Sequence, residues 1–215
     1  MAIKKLVKSL AVVLSAVLLI SCSKDGIQKK SLIAGDTSEV AFNSVFNPPL
    51  ELNLTWDEQN LYGNAVDSLD LNQDQLPDVF FRLAILNPDS LHLLNGEMPN
   101  PFPSLHIYGR DSLFETAIIS ETVYVGLGQT AQFHWVDTIQ INQIIDESRN
   151  WKTANYWGEK LWSENPVSML SNGSWFKKSQ PGFLAFRLAG SMGWIKLDTQ
   201  LPENPKIMAF ALQSP

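Results

Sequence analysis

Gly182-Phe183-Leu184-Ala185-Phe186-Arg187-Leu188, then Ala189-Gly190-Ser191-Met192, then Gly193-Trp194-Ile195-Lys196-Leu197 is the stretch that decides the fold class of this chain. Two apolar runs carrying aromatic residues flank a short connection that contains Ala189 and Gly190. Strand, small turn residues, strand is the pattern of a β-hairpin. The apolar run Ile207 to Leu212 follows and supplies one more strand.

The same signal extends toward the N-terminus. Val79 to Leu86 is a nearly continuous apolar run with Arg82 inside it, as expected of a central strand. Leu50-Glu51-Leu52-Asn53-Leu54-Thr55-Trp56 alternates strictly and predicts a half-buried strand. Leu105 to Tyr108, Glu121 to Val125 and Gln132 to Val136 add further short strands, separated by Pro, Gly, Asn and Asp clusters. The best helical candidate is Ile139 to Asn150, with ambiguous apolar spacing. Pro99-Asn100-Pro101-Phe102-Pro103 predicts a loop, because repeated loss of the backbone N–H suits neither a helix interior nor a central strand. The expected fold is all-β, an antiparallel β-sandwich or jelly roll with at most a short helix. No internal repeat and no second domain boundary is visible.

The N-terminus carries an address. Lys4, Lys5 and Lys8 precede an apolar run from Leu10 to Ile20, broken only by Ser15. A basic segment followed by an apolar one of this length is a secretory signal, too short for a spanning helix of about 20 residues. The run closes on Leu19-Ile20-Ser21-Cys22, which resembles the bacterial lipobox. That resemblance implies acylation at Cys22 and cleavage before it, giving a lipoprotein signal peptide over 1–21. Residues 22–39 are polar and predict a tether, and 40–215 a β-sandwich domain. One acyl chain holds a protein only marginally, at about 0.8 kcal/mol per buried CH2, whereas two or three hold it stably. Ser23 follows the cysteine in place of an aspartate that resembles an inner-membrane retention signal, which favours the outer membrane. The Ser23-Lys24-Asp25 start is similar to lipoproteins of the Bacteroidota. An ordinary signal peptide with a chance cysteine is the competing reading.

Charge and cysteine usage narrow the function classes. The whole chain is −6, and the leader holds three lysines and no acid, so the remainder is −9. Such a balance disfavours nucleic acid and anionic lipid surfaces as partners. Cys22 is the sole cysteine, so no internal disulfide can form. Seven tryptophans in a chain that is 45% apolar argue for a packed core over a disordered stalk.

Asp70-Leu71-Asn72-Gln73-Asp74-Gln75-Leu76-Pro77-Asp78 is the strongest chemical signal. Oxygen side chains stand at loop positions one, three, five and nine, the spacing of EF-hand-like calcium loops, because a hard cation collects six to eight oxygens. Asp70, Asn72, Asp74, the Leu76 carbonyl and Asp78 are the candidate calcium ligands. Position six is Gln75 where glycine is usual, and position twelve is Phe81 where a bidentate Glu is usual. The loop running straight into a strand is similar to the D-x-N-x-D-G-x-x-D-F segments of secreted bacterial β-domain proteins. The stretch from 182 to 212 resembles the F-R-F…G-W-I-x-L ending of the same proteins. These resemblances imply a fold and an extracytoplasmic address and no reaction. An Asx-rich surface turn that binds nothing is the alternative.

Trp135, Trp151, Trp157, Trp162, Trp175 and Trp194 crowd the second half of the chain. Aromatic faces stack on sugars, so a glycan platform is one reading and a core filled with large aromatics the other. Trp157 and Trp162, beside Gly158, Glu159 and Lys160, are the candidate exposed pair. His92, His106 and His134 lack metal-ligand spacing. Gly190-Ser191-Met192-Gly193 is no nucleophile elbow, and Gly126-Leu127-Gly128 is a lone G-x-G without a following helix. Glu121, Asp137, Glu159 and Glu164 could serve a glycoside hydrolase only if two of them faced each other about 5–9.5 Å apart. The sequence thus predicts a lipid-anchored binding or structural module with no catalytic residues, and a polysaccharide-acting enzyme as the alternative.

Overall fold

A computed structural model describes residues 31–57, 62–86, 102–126, 129–154, 159–164, 171–175 and 178–214. Among the described residues there are fifteen strands and no helix. They are β1 (Ser31–Ile33), β2 (Phe42–Glu51), β3 (Thr55–Asp57), β4 (Tyr62–Leu69), β5 (Val79–Leu86), β6 (Phe102–Gly109), β7 (Phe114–Gly126) and β8 (Gln129–Val136). Then follow β9 (Ile144–Asp146), β10 (Trp151–Thr153), β11 (Glu159–Glu164), β12 (Ser171–Asn172), β13 (Gly182–Leu188), β14 (Ser191–Asp198) and β15 (Lys206–Leu212).

Thirteen strands form one mixed sheet along the path β2-β15-β14-β13-β7-β8-β11-β6-β5-β4-β3, with β10 added to β7 and β12 to β11. Pairing is antiparallel apart from β11 on β8, which run parallel at Lys160 and Trp135. The long β7 turns this single ladder into two layers. Its beginning pairs with β13 and β10, and from Ile118 onward it pairs with β8. A strand that changes partners along its length makes the corner between two packed sheets. Leu184, Phe186, Ile195 and Phe210 from one layer therefore share a core with Phe81, Leu83, Leu105 and Ile107 from the other. Phe114, on the corner strand, stacks on Phe186 with ring centroids 5.6 Å apart. The fold is all-β and sandwich-like, as the short apolar runs predict.

The C-terminal hairpin sits at the centre. Leu184, Phe186 and Leu188 enter the shared core, while Phe183 and Ala185 enter a second cluster with Leu32, Ile139, Ile145, Trp194 and Ala209. Burial on both faces is why β13 to β15 read as continuous apolar runs. The second face is covered by the separate pair β1–β9, and alanines at 185, 209 and 211 let that cover lie close. A Cβ on Gly193 would collide with the Phe186 ring and the Ala211 carbonyl, so glycine there is a packing requirement. Arg187, the half-buried exception in β13, bonds Glu115 and Glu147 at 2.7 Å each and lies over the Trp151 ring, 4.7 Å from its centroid. It ties the cover to the main sheet.

Several expectations are corrected. The hairpin connection is only Ala189-Gly190, with φ of 50° and 86°, and Ser191 and Met192 already belong to β14. Two successive left-handed residues make the tight turn whose twist suits a hairpin. Ile139–Asn150 is not helical: Ile139 bridges Phe183, and β9 follows. Ile139 and Ile145 are buried under the cover while Ile141 and Ile144 are exposed, so the ambiguous spacing reflects neither a helix nor a long strand. The alternating run 50–56 is divided between β2 and β3, with Leu52 buried where the chain leaves one layer for the other. Phe102 and Pro103, placed in a loop by their prolines, open β6, where Pro103 stands opposite Ile85. Residues 31–39, assigned to the tether, are part of the domain: Leu32 and Ala34 are buried, and the Trp194 indole N–H donates to the Asp36 carbonyl at 3.1 Å.

Candidate functional site

The aspartate loop joins β4 to β5, and the pair Leu69–Val79 closes the ladder beneath it. Leu71 is fully buried and pins the loop to the core. Asp78 is the keystone: its side chain is only 3% exposed, and its Oδ2 accepts from the backbone N–H of Leu71 at 2.8 Å and of Asn72 at 3.2 Å. Asp70 accepts from the N–H of Asp74 at 3.1 Å and of Gln75 at 2.7 Å. The Asn72 Oδ1 accepts from Asp74 N–H at 3.0 Å, and the Asp74 Oδ1 from Leu76 N–H at 2.9 Å. Every acidic or amide side chain predicted as a ligand thus organises the loop's own amides, as Asx turns do. Gln73 and Gln75 have φ of 61° and 71°. Position six, normally glycine in calcium loops, therefore does take the left-handed backbone, with a glutamine in it.

Electrostatics set Asp78 apart. Burial pushes its carboxyl above the ordinary range, the Leu71 and Asn72 amides pull it partly back, and the charges of Asp74 and Asp70 push it up again. The structure brings Asp70, Asn72 and Asp74 together, with the Asn72 amide 3.2 Å from the Asp74 carboxylate. It sets Asp78 behind them on the core side and leaves the Leu76 side chain exposed. Among the described residues no three His, Cys, Asp or Glu side chains form a group arranged to hold a metal ion. The donors are all hard oxygens, each carboxylate keeps lone pairs beyond those facing the amides, and such a set suits calcium over a transition metal.

The remaining predicted residues divide sharply. Cys22 and Trp157 lie outside the described residues. The backbone of Trp162 stands in β11 opposite Leu105, and its side chain lies outside them too. Trp135, Trp175 and Trp194 are buried, and Trp151 is half-buried under Arg187. These four serve packing. His134 is exposed and bonded to the Ser120 hydroxyl at 2.9 Å. Asp137 is held by Arg149 at 3.1 Å, and burial pushes its carboxyl upward against that cation. It follows β8 opposite Ala117, whereas Glu121 lies four residues further along β7, roughly 13 Å of strand away. Side chains of Glu159 and Glu164 lie outside the described residues.

Sequence reasoning missed one feature. Phe80 and Tyr108, directly opposite each other on β5 and β6, stack with centroids 5.1 Å apart and planes 11° apart. They line a cavity of about 550 Å3 with Arg110, Asp111, Ser112 and Thr153. The available signal was Phe80 itself, an aromatic at an outward position of a strand whose Val79 and Phe81 point inward. Comparison with known protein families, curated proteins and solved structures returns no match for this chain.

Proposed function

We propose that this chain is a lipid-anchored protein of the cell envelope, held at the outer membrane of a Bacteroidota-like bacterium through Cys22. Its β-domain acts as a calcium-stabilised binding or structural module. The observation that carries the module reading is the loop 70–78: four oxygen-bearing side chains at calcium-loop spacing, with a left-handed residue at position six, seated between paired strands. Like charges gathered in nine residues favour a cation that relieves their repulsion. The address rests on Leu19-Ile20-Ser21-Cys22 and on the basic and apolar segments before it. A glycan is the proposed ligand class, with Trp157 and Trp162 as candidate contacts. A polysaccharide hydrolase is the alternative reading, less favoured because Asp137, one of its candidate carboxylates, is already engaged by Arg149.

The test is a melting curve of the full chain with calcium and with a chelator. Calcium at a hundred times its Kd stabilises by about 2.7 kcal/mol, which for a domain of this size raises Tm by roughly 5–10 °C. Identical curves in both conditions overturn the calcium reading. Cys22→Ala is expected to release the protein from membranes, and its persistence in the membrane fraction overturns the anchor.

A further inference from the structure

The outward face of the second layer carries two parallel rows of side chains. One row crosses five strands: Val66 opposite Arg82, Arg82 opposite His106, His106 opposite Lys160, and Lys160 opposite Trp135. The neighbouring residues Phe81, Leu105, Ile107, Leu161 and Val136 point into the core, which fixes this row on the outside. The second row lies two residues along β5 and β6, about 7 Å away, and holds the stacked pair Phe80 and Tyr108. Beyond that pair opens the cavity lined by Arg110, Asp111, Ser112 and Thr153. Phe80, Arg82 and Tyr108 are half-buried and Lys160 is exposed, so this part of the face is open to solvent, whereas Trp135 at the end of the row is buried.

Arg82, Lys160 and Arg110 therefore concentrate positive charge around an aromatic platform, on a chain whose net charge is −6. One carboxylate, Asp111, lines the cavity itself, 3.7 Å from its neighbour Arg110, and Glu121 stands exposed on the same outward face, two strands beyond Lys160 and opposite Phe133. We infer that this face is a binding site for an acidic saccharide, a polymer bearing uronate or similar carboxylates. A ring seated in the cavity uses the Phe80–Tyr108 pair for its apolar face, and its carboxylates meet the guanidinium and ammonium of the adjoining row. Neither group alone selects this ligand: the rings would take any sugar and the cations any anion. The inference deepens the glycan part of the proposed function, moves it from the tryptophans to Phe80 and Tyr108, and does not depend on calcium.

The experiment is titration of the full chain with polygalacturonate, with a neutral glucan of matched length, and with polyphosphate, an anion without a sugar face. Polygalacturonate is expected to bind at least tenfold tighter than either other polymer. Arg82→Gln with Lys160→Gln is expected to lower that affinity at least tenfold, and Phe80→Ala to lower it comparably, with far-UV spectra unchanged. Acetylation of Lys160 in the unmutated chain is expected to slow when polygalacturonate is present, which tests the site without any variant. Equal binding of glucan and polygalacturonate overturns the acidic specificity and keeps the glycan module. Equal binding of polyphosphate, or Lys160 acetylated at the same rate with and without polymer, overturns the site. Failure of both saccharides to bind overturns the glycan reading as well.

Discussion

Two hairpin connections in this molecule solve one problem in opposite ways. Ala189-Gly190 reverses the chain in two residues, both left-handed, and the turn contributes little beyond its shape. It is held from outside: Leu188 and Ser191 close the ladder, Ala189 N–H bonds the Leu113 carbonyl at 3.0 Å, and the strands below are buried on both faces. The 70–78 connection takes nine residues and also has two left-handed ones, Gln73 and Gln75, without a glycine. It is held from inside, by Asp70, Asn72, Asp74 and Asp78 accepting from its own amides. A turn stabilised by its strands tolerates change at its tip. A turn stabilised by its own carboxylates answers to pH and to cations.

The largest effect should come from the strands beneath the short turn. Phe186→Ala removes a fully buried ring from the shared core and is expected to cost about 4 kcal/mol in urea unfolding. A loss below about 1 kcal/mol would mean that the turn, and not its strands, holds the hairpin. Next, Asp78→Ala leaves the Leu71 and Asn72 amides without their acceptor and is expected to cost about 2 kcal/mol. Asp78→Asn keeps an acceptor and should cost much less. Equal losses in the two variants would show that charge, not hydrogen bonding, organises the loop.

Smallest is the pH response. Because the folded Asp78 carboxyl is raised, the native state binds more protons than the unfolded chain between about 3.9 and the raised value. Its contribution is therefore fully present at low pH and declines as pH rises through that window. Asp137 acts with the same sign, so the diagnostic quantity is the difference between wild type and Asp78→Asn, measured by urea unfolding from pH 4 to 7. A difference that does not vary with pH would remove Asp78 from the titration.

The contrast also shows which signals a sequence carries. Val79–Leu86 and the three C-terminal strands are legible because burial leaves an apolar run that a turn or a solvated segment would not carry. β2 is less so: Pro48 and Pro49 interrupt it, and only an edge strand tolerates that, with residues 46–49 standing opposite residue 208 alone. β1 hides because a three-residue strand in a polar segment has no period to read. The aspartate spacing is legible, but not that Asp78 turns inward and supports the loop from the core side. The outward rows escape notice because Arg82, His106 and Lys160 come from three strands, and only register brings them together.

The early entry of the chain into the fold has a mechanical consequence. Ser31 is already paired with Asp146, so only nine residue steps separate it from Cys22, at most about 30 Å of extended chain. In the proposed anchored protein that short leash holds the domain within roughly its own diameter of the bilayer. A tug on the anchor enters at Ser31 and loads the three-residue β1–β9 pair and the Trp194–Asp36 bond before it reaches the curled main sheet. The covering pair is then a mechanical fuse: it yields first, and the layer that carries Phe80, Arg82 and Lys160 stays folded while it does.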